Sequence, residues 1–139
     1  MPDKARQPIV LDTNIVLDVF IFSDAASLPL KAALAAGELD WVATQPMRDE
    51  LERVLAYKQL APRLDFYQLS ADDVLAGFDR HARLTEVAPK ASVTCSDADD
   101  QKFIDLAVSL QCRLLSKDRH VLSMKKRLLA LDVQAQAAL

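Results

Sequence analysis

The feature that most constrains this chain is an alternation of short apolar runs with stretches of helical spacing, the runs bounded by polar or turn residues. Strands that read as near-continuous apolar runs are buried on both faces, the condition of a parallel sheet covered by helices on either side. The expected class is α/β. Pro8, Ile9, Val10 and Leu11 form the first run, and residues 14–20 continue with helical character, so Asp12 stands where strand gives way to helix. A second helical stretch over 25–36 stops at Gly37, the residue type that most readily adopts the left-handed conformation after a helix. Residues 40–44 follow as a strand.

Pro46 is placed to open a helix whose apolar stripe is Met47, Leu51, Val54 and Leu55. Residues 60–69 read as a helical or irregular connector. Ser70 is the expected N-cap of a helix over 71–83, with a short strand at 85–87. Ser96 is the expected cap of a further helix with Phe103, Ile104, Ala107 and Val108 on its apolar face. Residues 112–116 are the next buried strand, leading to Lys117 and Asp118, and 120–129 form a last helix, basic on its exposed side. No repeat, low-complexity segment or linker interrupts the 139 residues, so 1–139 is expected to be one domain.

Composition removes several functions. Two glycines, Gly37 and Gly77, leave no phosphate-cradling loop and no dinucleotide fingerprint. Two histidines, His81 and His120, lie in no zinc-hydrolase motif and near no serine-nucleophile motif. Cys95 and Cys112 form no CxxC pair and read as reduced structural thiols. Residues 1–7 are polar and mixed in charge, unlike a signal peptide, and no run is long enough to span a bilayer, so a cytoplasmic protein is expected. The net charge of −3 argues against a general nucleic-acid coat, but not against an acidic site whose bound cations restore positive potential.

The acids are the informative residues. Asp12 and Asp118 both follow apolar runs, so both are expected at the carboxyl edge of the sheet, where open α/β sheets bind ligands. Capping a helix is the ordinary role for one such aspartate. Asp100 is different: at 100° per residue it shares a direction with Ile104 and Ala107, on the face expected to be buried. Asp97 lies about 60° from it on the same side, whereas Asp99 points toward solvent and Asp105 lies near the stripe's outer boundary. Capping explains Asp97 and Asp99 but not Asp100. Glu50 repeats the anomaly within the stripe of Met47, Leu51 and Val54, while Asp49 and Glu52 point outward. Like charges this close repel unless a cation neutralises them. Carboxylates without histidine or cysteine favour hard ions, so Mg2+ or Mn2+ is the expected partner and hydrolytic phosphoryl transfer the chemistry that follows.

Four segments in order resemble the PIN-domain family, especially its branch of toxin components of toxin–antitoxin systems, the VapC-like ribonucleases. They are Ile9-Val10-Leu11-Asp12-Thr13-Asn14, Glu50-Leu51-Glu52-Arg53-Val54-Leu55, Asp97-Ala98-Asp99-Asp100-Gln101-Lys102-Phe103 with Ala107, and Leu114-Leu115-Ser116-Lys117-Asp118. The resemblance covers roughly residues 9–131. It implies a three-layer α/β/α fold around a parallel sheet of four to five strands, Mg2+- or Mn2+-dependent endoribonuclease activity, a homodimer, and a small antitoxin partner. On that analogy Asp12, Glu50, Asp100 and Asp118 are the catalytic metal-binding acids, Asp97 an accessory ligand acting through water, and Asn14 and Ser116 hydrogen-bonding supports. From Val133 onward the sequence becomes rich in Gln and Ala, departing from the branch's pattern, so the final strand is expected to be truncated and residues 134–139 frayed.

Lys117, Arg119, Lys125, Lys126 and Arg127 form either a solvated basic helix face or a set of contacts to RNA phosphates beside the acids. Trp41, Tyr57, Phe66 and Tyr67 have apolar neighbours, and core packing is expected for most. Two other readings remain open. In one, the fold is a binding module without catalysis, although all four acids are present. In the other, Asp12 is an aspartyl-phosphate nucleophile of a receiver or dehalogenase-type phosphatase, which Asp12-Thr13-Asn14 fits poorly because it lacks the second aspartate.

Overall fold

A strand with three consecutive buried apolar residues needs a hydrogen-bonding neighbour on each side and cover over each face. Ile9, Val10 and Leu11 of β1 (Gln7–Leu11) are such residues. The computed structural model, which describes residues 6–22 and 25–139, gives them that setting. Of the polar segment 1–7, only Arg6 and Gln7 fall within the described residues. β1 pairs in parallel with β2 (Leu39–Thr44) and β4 (Arg113–Leu115), β2 with β3 (Ala82–Thr85), and β4 with β5 (Gln134–Gln136). The result is a five-stranded parallel sheet in the order β3-β2-β1-β4-β5, flanked by helices as a three-layer α/β/α fold.

α1 (Thr13–Leu17) runs on through a π-helical turn at Asp18–Phe22, and α2 (Leu28–Ala35) ends before Gly37, whose φ of +71° confirms the turn its sequence position suggests. α3 (Gln45–Leu55) buries Met47, Leu51 and Leu55. The connector contains α4 (Ala61–Phe66). α5 (Ala71–His81) opens on a capping box in which Ser70 accepts from the Asp73 N–H while the Asp73 carboxylate accepts from the Ser70 N–H. α6 (Gln101–Leu110) packs Phe103, Ile104, Leu106 and Ala107 into the core, against β1 and β4. Trp41, fully buried, meets Phe78 edge-on with ring centroids 5.0 Å apart.

Several boundaries differ from expectation. The strand expected at 85–87 lies at Ala82–Thr85, so α5 ends two residues early: Ala82 and Arg83 are drawn into the ladder beside Trp41 and Val42, and the Arg83 guanidinium grips the Asp40 carboxylate with two hydrogen bonds. Asp97, not Ser96, is the N-cap, because its Oδ1 accepts from the Asp99 N–H while the Ser96 hydroxyl meets His120 Nδ1 at 2.9 Å. The last helix is two, α7 (Arg119–Leu122) and α8 (Lys125–Leu129), broken where Met124 turns into the core. The tail expected to fray carries β5, whose Ala135 is buried and whose Gln136 carbonyl accepts from the Ser116 N–H. An edge strand of small and polar residues alternates exposed and buried positions, so it leaves no apolar run in the sequence. Cys95 and Cys112 are free and buried, and burial pushes the Cys112 thiol up to about 12, consistent with an unreactive structural role.

Candidate metal centre

β1 and β4 are neighbours, but the chain leaves β1 toward β2 and leaves β4 toward β5. Their carboxyl ends therefore flank a topological switch point, the place where an open parallel sheet leaves a crevice. Leu11 pairs with Leu115, which makes Asp12 and Ser116 the next cross-strand neighbours, and the Asp12 N–H continues the ladder to the Leu115 carbonyl at 3.1 Å. Asp12 is only 3% exposed. Its Oδ1 accepts from the Ile15 N–H at 3.1 Å and its Oδ2 from the Ser116 hydroxyl. Burial raises its pKa and the Asp118 charge adds to this, against hydrogen bonds from Ser116, Ile15 and the Asn14 backbone that favour the charged form.

Ser116, fully buried, links two acids: its Oγ donates to Asp12 and accepts from the Asp118 N–H at 3.0 Å. Asp118 caps α7 by accepting from the His120 N–H at 2.8 Å. Asp97 and Asp100 arrive from the turn before α6, and carboxylate oxygens of Asp97, Asp100 and Asp118 all lie within 4.8 Å of one another. The buried Oδ2 of Asp100 has no hydrogen-bond partner among the described residues. Burial first, then the adjoining charge of Asp118 and a proton that Asp100 can share with the Asp118 carboxylate, then the charges of Asp97 and Asp12, push the Asp100 carboxyl up from 3.8 to about 7. An orphaned oxygen among like charges must hold a proton or face a cation. All the converging donors are carboxylate oxygens, so the residues fit a hard divalent ion.

Glu50 is not brought into this trio. Its Oε1 lies 2.5 Å from the Lys102 ammonium and its Oε2 accepts from the Thr13 hydroxyl, while Lys102 also donates to the Asp99 carbonyl at 2.6 Å. Glu50 instead borders an open groove of about 340 Å3 with Arg53, Val54, Tyr57, Asp99 and Asp100. Thr13 and Lys102 escaped the sequence reading. The signal available was that Lys102 adjoins the acidic segment and Thr13 follows Asp12, but their reach to α3 depends on tertiary packing. Asn14 is exposed and its side chain has no hydrogen-bond partner among the described residues. In the basic segment, Lys117 lies 2.5 Å from Asp18, whereas Arg119, Lys125, Lys126 and Arg127 are exposed. Trp41 is core, as expected, but Tyr57, Phe66 and Tyr67 are exposed, because the chain around α4 lies over the surface.

No helix among the described residues is long and apolar enough to cross a membrane. The sequence has no match among curated proteins. Among solved structures it is similar to a chain in the crystal structure of VapBC2 from Rickettsia felis bound to a DNA fragment from their promoter: TM-score 0.62 and 12% identity, over 92% of this chain and 98% of that one. That likeness is one of fold. The model of the PIN domain matches residues 8–120, which contain every acid of the crevice, and on this match the chain belongs to the PIN domain family.

Proposed function

We propose that this chain is a divalent-metal-dependent endoribonuclease of VapC-like type, the toxin of a toxin–antitoxin pair, that hydrolyses RNA phosphodiester bonds. The observation that carries the reading is the unpartnered, buried Asp100 oxygen, set among Asp97 and Asp118 beside the buried Asp12. Membership of the PIN domain family and the fold shared with VapBC2 support it.

On this reading Asp12, Asp100 and Asp118 hold the ion, with Asp97 as the accessory acid. Mg2+ or Mn2+ supplies a water of lowered pKa and charge neutralisation at the scissile phosphate. The chain's own residues set the site. Ser116 orients Asp12 and, through the Asp118 N–H, fixes the turn that presents Asp118. The N-termini of α1 and α7 add partial positive charge around carboxylates that otherwise repel one another. Glu50 forms the acidic rim on the α3 side, its charge balanced by Lys102 and its orientation fixed by Thr13. Arg119, Lys125, Lys126 and Arg127, exposed on α7 and α8, are assigned to contacts with RNA phosphates, whereas Lys117 is paired with Asp18. A cytoplasmic homodimer inhibited by a small antitoxin completes the proposal.

The test is cleavage of an RNA containing single-stranded and structured segments, in Mg2+, Mn2+ or chelator, by the native chain, Asp12→Asn and Asp100→Asn, with metal affinity read by calorimetry. Metal-dependent cutting lost in both variants, with weakened metal binding, is the expected result. Metal binding with no cleavage of any RNA would favour the non-catalytic binding module, and phosphate retained covalently on Asp12 would favour the aspartyl-phosphate reading.

A further inference from the structure

The groove beside the acids differs from the crevice itself. Along α3 and the turn after it, Glu50, Arg53, Val54 and Tyr57 follow one another at helical spacing and line one wall, with Asp99 and Asp100 opposite. Arg53 is the only cation in this lining; it is exposed and has no ion-pair or hydrogen-bond partner among the described residues. Tyr57 is 53% exposed, and none of the ring contacts among the described residues involves it. Val54, half-buried, gives an apolar patch between them. From Glu50 to Tyr57 the helical rise extends this wall over roughly 10 Å.

A guanidinium and an open aromatic ring beside an apolar patch are the elements of a single-stranded nucleic-acid platform: the cation meets a phosphate and the ring stacks on a base. Paired bases in a duplex have both faces covered and offer the ring nothing. We propose that this groove is the substrate-strand subsite, in which Tyr57 stacks on an unpaired base and Arg53 holds the phosphate between that base and the scissile bond. The inference rests on the ribonuclease reading and adds to it that the substrate is single-stranded on the α3 side of the cut. Asp99 and Asp100 opposite make the groove repel phosphate unless the acids are neutralised, so strand binding here depends on the divalent ion.

The test uses the full native chain, with Ca2+ in place of Mg2+ to fill the acids while slowing cutting, and a short fluorescein-labelled single-stranded RNA of mixed sequence. Anisotropy gives the Kd of this parent and of chains that carry Tyr57→Ala, Tyr57→Phe or Arg53→Ala. Loss of stacking is expected to weaken binding roughly tenfold in Tyr57→Ala and to leave Tyr57→Phe close to the parent. Arg53→Ala is expected to weaken binding and to flatten its dependence on salt by about one phosphate contact. The same RNA as a duplex should bind no differently to parent and Tyr57→Ala. Melting curves guard against misfolding, and because Tyr57 and Arg53 are exposed their midpoints should match the parent's. If the parent binds the single strand and both alanine variants match its Kd, the groove proposal fails and the nuclease reading stands. If the native chain neither binds nor cuts RNA in Mg2+ or Mn2+, both fail.

Discussion

At the scale of single residues, Asp100 and Ser116 carry the sharpest consequences. A carboxyl raised from 3.8 to about 7 binds its proton more tightly folded than unfolded. The metal-free folded chain therefore holds extra protons between about pH 4 and pH 7, and this group makes folding less stable as pH rises through that window. Asp100→Asn removes the charge. In chelator it should raise the melting midpoint at about pH 8 by roughly 3 °C, after allowing for solvent screening of a partly exposed group, and the gain should vanish near pH 4. A midpoint that falls at pH 8 would mean that Asp100 is compensated by a group other than a metal. Ser116→Ala leaves the buried Asp12 oxygen without its donor and the Asp118 N–H without its acceptor. Leaving such groups unsatisfied costs about 2 kcal/mol, to be read from urea denaturation, and metal affinity should weaken with it. Unchanged stability would mean that water replaces the hydroxyl.

At the scale of elements, β5 reaches the site despite its distance in sequence. Its Gln136 carbonyl accepts from the Ser116 N–H, so the last strand helps fix the serine that joins Asp12 to Asp118. Removing residues 134–139 uncovers the edge of β4 and the buried Val133. The shortened chain is expected to lose most metal affinity and to associate more readily, as calorimetry and light scattering would report. Full metal binding by a monodisperse truncated chain would show that Ser116 is held by β1 alone. The division of labour among helices is also clear: α1, α6 and α7 present their N-termini to the acids, while α3 brings Glu50 with its own counter-charge, Lys102, from α6.

At the scale of the whole molecule, the acidic crevice trades stability for function unless an ion occupies it. A ligand that binds only the folded state stabilises it by about 2.7 kcal/mol at a concentration of ~100 times its Kd. Raising Mg2+ or Mn2+ to that level should lift the melting midpoint of the native chain by several degrees, with chelator reversing the gain, and Asp100→Asn should show little of it. An equal gain in that variant would locate the binding elsewhere on the surface.

The α/β class, the strand leading to Asp12, the strand leading to Asp118 and the helix bearing Asp100 are legible in local sequence, because buried parallel strands and amphipathic helices write their environment into local apolar patterns. Asp100 was legible for the same reason: a charge on the apolar face of a helix violates the pattern around it. Packing between distant elements set that Glu50 faces Lys102 and Thr13, that Lys117 turns to Asp18, and that Tyr57 lies open beside the site. It also decided that the Gln- and Ala-rich tail becomes the fifth strand. Those outcomes depend on which side chains meet across elements far apart in sequence, and an edge strand takes its stability from a neighbour's backbone, which no periodicity in its own residues records.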